Sequence, residues 1–232
     1  SMSDPSSPSA PSAAAAETGL AAALGALGDD GSLMLAGGGA RAFAPGSEAE
    51  LAALLATSPE AVMVAGATDV GLWLTKRLDL PETLIFLNRI RAFDRIVETE
   101  REVEIGAGAS WEAAAGALGR LAPDLGELVR RFASVQVRNA ATVGGNIANG
   151  SPIGDGAPAL IALGAQLELR GAAGVRRMPL EDFFVDYGRQ DLRPGEYVAA
   201  LRVPRPADPE AVRVFKISKR FDQDITATLG AF

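Results

Sequence analysis

The stretch that most restricts what this chain can fold into runs from Asn139 to Asp155, seventeen residues with four glycines, three asparagines and hardly a large side chain. A segment so poor in apolar volume builds little core, so its backbone is expected to be exposed to something it must touch. Gly144-Gly145 permits close approach, and Asn146, Asn149 and Asp155 offer amide and carboxylate partners. A long structural loop closed by Asx turns accounts for the same composition. The residues alone leave both readings open.

Around this stretch, strand and helix signals alternate only in part. Ser47-Glu48-Ala49-Glu50 opens a helix, and Val62 to Ala65 is a short apolar strand followed by a tight turn and a short helix from Val70. Thr83 to Leu87 and Val103 to Ile105 read as strands, with helices over about Trp111 to Leu118 and Leu125 to Phe132. Leu167 to Leu169, Val198 to Val203, Val212 to Ile217 and Ile225 to Phe232 supply later strands. The incomplete alternation predicts an α+β fold rather than a regular doubly wound sheet. With 48% of 232 positions hydrophobic, the chain holds enough apolar material for one large domain or two small ones.

The ends read differently from the middle. Residues 1–16 contain six Ser, three Pro and five Ala, and glycines at 28, 31 and 37–39 punctuate the segment after them. Residues 1–40 are therefore expected to be a disordered leader and linker, with folded character starting near Phe43. Ser1-Met2 has the look of a cloning scar. The last strand reaches the final residue, as expected of a chain cut inside a longer protein.

The missing residue types exclude whole classes of chemistry. With no Cys and no His, there is no disulfide, thiolate nucleophile, cysteine-ligated iron-sulfur cluster, Ser-His-Asp triad or His-ligated metal. Redox work therefore needs a borrowed organic cofactor. A net charge of -7 argues against a nucleic-acid partner, which requires a clustered basic surface. No apolar stretch approaches the roughly 18 residues of a membrane span and no secretory signal is present, so a cytoplasmic protein is expected.

Three further candidates stand out. At Val64-Ala65-Gly66-Ala67-Thr68-Asp69-Val70, small residues at a strand end let successive backbone N–H groups approach an anion such as a pyrophosphate. An ordinary strand–helix turn, with Gly66 at positive φ and Thr68 or Asp69 capping, explains the same residues. Phe132 is either a ring-stacking face or a core residue, and Lys216, between Phe215 and Ile217, either meets an anionic ligand or is solvated. Neither a G-x-G-x-x-G fingerprint after a strand nor a P-loop is present.

Taken together, "VAGATDVGLWLTK", "RFASVQVRNAATVGGNIANGSPIGDGAPALIALGA", "MPLEDFF" and "FKISKRFDQDI" resemble the FAD-binding domain of xanthine dehydrogenase and other molybdenum hydroxylases. The resemblance implies a PCMH-type FAD-binding domain of two α+β subdomains over residues 41–210. It implies that residues 211–232 begin a C-terminal flavoprotein domain and are truncated there. FAD is the implied cofactor, with molybdopterin and 2Fe-2S clusters in other domains or partner chains, and NAD is the implied electron acceptor. By the same resemblance, Met63, Val64, Ala65, Gly66, Ala67, Thr68, Asp69 and Val70 would bind the FAD pyrophosphate through backbone N–H groups. Thr142, Val143, Gly144, Gly145 and Asn146 would line the second dinucleotide loop, Asp155 would lie near the flavin, and Phe132 would stack on an FAD ring. Val198 would pack against the cofactor and Lys216 would lie within reach of it. Ala67 stands where many relatives carry glycine, and Gly188 where an Arg is common. The implied activity is electron transfer from iron-sulfur clusters through FAD to NAD during hypoxanthine and xanthine oxidation to urate. The alternatives are the flavin subunit of a carbon monoxide dehydrogenase or aldehyde oxidase type enzyme, or a non-catalytic fragment that folds without FAD.

Overall fold

The computed structural model describes residues 31–232; most of the leader expected over residues 1–40 lies outside them. Folded structure begins earlier than Phe43. Strand β1 (Leu33–Gly37) pairs antiparallel with β2 (Ala40–Ala44) across a turn at Gly38 and Gly39, whose φ values of +58° and +85° suit glycine. The sequence hid β1 because it is exposed along its whole length and so lacks alternation.

Helix α1 (Glu48–Thr57) starts where the acidic run predicts. The Ser47 hydroxyl accepts from the Glu50 N–H, and Leu51 and Leu55, four residues apart, are buried. Strand β3 (Val62–Val64), a short helix α2 (Val70–Leu72) running into a π-helical turn (Trp73–Arg77), and β4 (Thr83–Phe86) come next. These strands form a mixed sheet of order β1-β2-β4-β3, in which β4 runs parallel to both β2 and β3. Its core gathers Leu51, Leu55, Ile85, Ile90 and Phe93 with Tyr197 and Ala199.

The second sheet is antiparallel, of order β5-β6-β11-β7-β8. It comprises β5 (Ile96–Glu98), β6 (Glu102–Gly106), β7 (Gln166–Gly171), β8 (Gly174–Pro179) and, at its centre, β11 (Tyr197–Pro204). A minor pair, β9 (Phe184–Asp186) and β10 (Arg189–Gln190), lies between β8 and β11 in the chain. Helices α3 (Trp111–Leu121), α4 (Pro123–Arg131), α5 (Val135–Ala140), α6 (Val143–Asn149) and α7 (Gly156–Ala162) intervene between β6 and β7. The larger core packs Val103, Ile105, Leu167, Leu169, Leu201 and Val203 of the sheet against Leu118, Leu121, Leu128, Val143, Ile147 and Leu160 of the helices. Tyr197 and Ala199 of β11 reach the smaller core while Leu201 and Val203 lie in the larger one, so a single strand serves both. A hairpin of β12 (Val214–Ser218) with β13 (Thr226–Ala231) follows.

The Asn139–Asp155 stretch is not an open loop. Its central part is helix α6, capped by Thr142, with Val143 and Ile147 fully buried one turn apart. Gly144 packs so tightly on the residues just after β6 that an added Cβ would lie 2.4 Å from Cβ of Ala107. Glycine here serves close approach within the protein.

Candidate functional site

A cleft of about 470 Å³ opens between the β3–α2 turn on one side and the α5–α6 segment with the C-terminal end of α4 on the other. That volume falls within the range of small-molecule sites. The two walls meet because Gly66 has no side chain: a Cβ there would sit 1.9 Å from the Ala140 carbonyl oxygen at the end of α5.

The turn after β3 carries the left-handed residue that an anion nest requires. Ala67 adopts φ +57°, a left-handed conformation, and precedes right-handed Asp69. The sequence reading places the positive φ at Gly66; the structure places it one residue later, and Gly66 is needed for space instead. Among the described residues, the N–H groups of Gly66, Ala67 and Thr68 have no protein acceptor, and all three residues line the cleft. Open to the cleft rather than buried, these donors are free to meet solvent or an anion, and a left-handed residue beside right-handed ones turns consecutive N–H groups toward one anion.

The opposite wall is built differently. The N–H groups at the start of α6 are consumed within the protein: Val143 donates to Ala109, Gly144 to Ala107, and Asn146 to the Thr142 carbonyl, at 2.9, 3.0 and 3.0 Å. Gly145 donates to the Thr142 hydroxyl at 3.0 Å. This wall therefore offers a smooth small-residue surface and the Asn146 side chain rather than free backbone donors. Phe132 forms the adjoining face, its ring 5.2 Å from that of Trp111 behind it.

Of the residues singled out in the sequence, Met63, Ala65 to Val70, Phe132, Thr142, Gly144, Gly145, Asn146 and Val198 all line this cleft. Val64 and Val143 belong to the same segments but point into the protein, at 2% and 0% exposure. Asp155 and Lys216 are not among the lining residues. They bind each other, with Lys216 Nζ 2.6 Å from Asp155 Oδ2, and Thr226 closes the group by accepting from Lys216 and donating to Asp155.

Sequence reasoning missed Trp73, Leu192 and Tyr197, which also line the cleft. Tyr197 opens β11 and packs edge-tilted against Phe93 at 5.7 Å. Its hydroxyl donates to Glu48 Oε2 at 3.0 Å, and Arg170 holds the same carboxylate through two contacts of 2.7 and 2.8 Å. Burial and the facing Glu48 carboxylate push the Tyr197 phenol above its ordinary value, which keeps it a neutral donor. No local motif marks such a contact, since Glu48 and Tyr197 are 149 residues apart.

Fold and cleft together define a flavin-binding domain. Residues 38–206 match the family described as the FAD binding domain in molybdopterin dehydrogenase, and the chain belongs to that family, whose cofactor is FAD. Among curated proteins, it is 31% identical over 206 residues to the nicotinate hydroxylase of Emericella nidulans, covering 81% of this chain and 15% of that protein. It is 29% identical over 188 residues to the xanthine dehydrogenase/oxidase of Gallus gallus, covering 76% of this chain and 14% of the relative. Among solved structures, the reconstituted CO dehydrogenase of Oligotropha carboxidovorans superposes with a TM-score of 0.75 at 30% identity, over 81% of this chain and 66% of that one. Quinoline 2-oxidoreductase of Pseudomonas putida 86 gives 0.74 at 25% identity, over the same 81% and 66%. The chain thus spans about 15% of the length of the curated relatives and 66% of the solved chains it matches. Among the described residues, no helix is long and apolar enough to cross a membrane.

The residues present fit FAD. Three unpaired N–H donors suit a pyrophosphate, small residues border them, and Phe132 and Tyr197 supply aromatic wall.

Proposed function

We propose that this chain is the FAD-carrying electron-transfer part of a xanthine dehydrogenase type enzyme, receiving electrons from iron-sulfur clusters in partner domains and delivering them to NAD. The observation that carries the reading is the convergence of the free N–H groups of Gly66, Ala67 and Thr68 with Asn146 and Phe132 on one cleft. FAD held there would supply one- and two-electron redox chemistry, including hydride transfer.

The protein's own work is binding and exclusion. The β3–α2 turn would hold the pyrophosphate, spreading its charge over peptide dipoles. Asn146 donates or accepts at the cofactor's polar edge, and the apolar walls keep water from it. No step needs a protein acid or base, so the lack of His and Cys is consistent with this role.

A second reading, the flavin subunit of a carbon monoxide dehydrogenase type enzyme, is favoured by the superposition on the Oligotropha carboxidovorans structure. One experiment addresses both. The purified chain, or the chain titrated with FAD, is expected to show a flavin absorption spectrum, and anaerobic NADH is expected to bleach it. Bound flavin that NADH leaves oxidised favours the second reading. Absence of binding sinks both and leaves a fragment that folds without FAD. Replacing Asn146 with Ala is expected to weaken FAD binding; unchanged affinity would remove Asn146 from the site.

A further inference from the structure

We propose that Arg138 is a positioning residue that holds Phe132 in the wall of the cleft; the inference rests on the reading that this cleft takes FAD. Helix α4 ends at Arg131, and the chain turns at once through Phe132 and Ala133 to begin α5 at Val135. Ala133 has φ +49°, a left-handed conformation in which a Cβ is unfavourable and which glycine ordinarily supplies at a helix end. A non-glycine residue stays in such a state only where its surroundings over-determine it.

Arg138 provides that constraint. From one turn into α5, its Nη1 donates to the carbonyls of Arg130, Phe132 and Ala133 at 3.3, 3.1 and 3.1 Å. Its Nε donates to Glu112 of α3 at 2.7 Å, and its side chain is only 11% exposed. The guanidinium thus gathers the Arg130 carbonyl in the last turn of α4, where a cation is favoured by the helix dipole, together with the two carbonyls of the turn that follows, while Glu112 compensates its charge. Arg138 is not among the residues lining the cleft. What it fixes is Phe132, whose ring packs on Trp111 on one side and faces the cleft on the other. Without the guanidinium, carbonyls turned inward lose their donor and the left-handed turn loses its support. The turn then relaxes and Phe132 leaves the wall.

The test is a double-mutant cycle on the 232-residue chain, read by FAD titration. Arg138→Met keeps the apolar stem, and Phe132→Ala removes the ring. Each single change is expected to weaken FAD binding roughly tenfold, the scale of one lost ring-stacking contact. The double variant is expected to bind no more weakly than Phe132→Ala alone. A further tenfold loss in the Phe132→Ala background would show that Arg138 acts independently of the ring, overturning the proposal. If Arg138→Met does not fold, Arg138→Lys carries the same cycle, since a point-charge ammonium serves fewer carbonyls than a fork. A cofactor-free readout keeps the two readings apart. The chain has two tryptophans, so in a Trp73→Phe background acrylamide reports on Trp111, which is 3% exposed. Removing Arg138 is expected to raise its quenching severalfold, and adding Ala133→Gly to lower it again. Unchanged quenching overturns the role of Arg138, whereas failure of the parent chain to bind FAD, with quenching behaving as expected, overturns only the cofactor reading.

Discussion

Lys216 Nζ lies 2.6 Å from Asp155 Oδ2, with both side chains buried and Thr226 bridging them. The contact joins the β12–β13 hairpin to the turn before α7. Removing one partner strands the other charge in a low-dielectric interior, which costs about 3–5 kcal/mol, while replacing both with apolar residues avoids most of that cost. Lys216→Met is therefore expected to destabilise the chain by an amount in that range, and Lys216→Met with Asp155→Leu by clearly less. Urea unfolding midpoints check this; a double variant as unstable as the single one would show that the stranded carboxylate is not the source.

The same pair shows where the sequence was legible and where it was not. Elements with clear caps, such as α1 behind Ser47 and α3 behind Ser110, were readable because local chemistry and tertiary packing agree. On β12 the two disagree. Lys216 is buried while its neighbours Phe215 and Ile217 are 55% and 60% exposed, the reverse of the usual strand pattern, so the residues alone point the wrong face inward. Helix α6 was hidden for a related reason: Gly144-Gly145-Asn146 has poor helix propensity, and the Thr142 cap and the buried Val143–Ile147 pair that rescue it are supported by contacts with Ala107 and Ala109 beyond β6. The β3–α2 and α6 segments were recognisable as site material from their small residues. That they face each other across one cleft, which Tyr197 also lines, depends on packing between distant positions.

Gly66→Ala tests the junction of the two cleft walls. The added methyl would have to share space with the Ala140 carbonyl, only 1.9 Å away, and with Cα of Ala141 at 2.9 Å. Backbone atoms yield less readily than a side-chain tip, so overpacking of about 1–3 kcal/mol or more is expected. FAD affinity is expected to fall with stability, because the walls separate. A variant with parental thermal stability and affinity would show that the turn after β3 does not pack this tightly on the end of α5.

Ala67→Gly is expected to act in the opposite direction. At φ +57° the alanine Cβ costs about 1–2 kcal/mol, and glycine's greater freedom in the unfolded chain offsets about half of that. A net gain of up to about 1 kcal/mol in unfolding free energy is expected, with FAD binding retained because the N–H groups of the turn keep their directions. Loss of stability on this change would mean that the turn is not held in the left-handed form.

Glu168 provides the pH dependence. Its carboxylate is 3% exposed on β7, with Arg170 at 2.7 Å, Arg177 at 2.8 Å and Arg202 at 3.5 Å. Burial alone would raise it, but the hydrogen bonds from Arg170 and Arg177 outweigh burial and hold the carboxyl below its ordinary value of 4.5. A group depressed in the folded state contributes stability that is fully present above its unfolded value and is lost as pH falls through the folded one. Glu168→Gln is therefore expected to cost about 2 kcal/mol at pH 7, the scale of hydrogen bonds to a charged group. The gap between parent and variant is expected to narrow as pH falls below 4.5, because protonation makes the parent resemble the variant. Equal gaps at about pH 7 and about pH 3 in denaturant titrations would show that the ionised carboxylate is not what binds the three arginines into one sheet face.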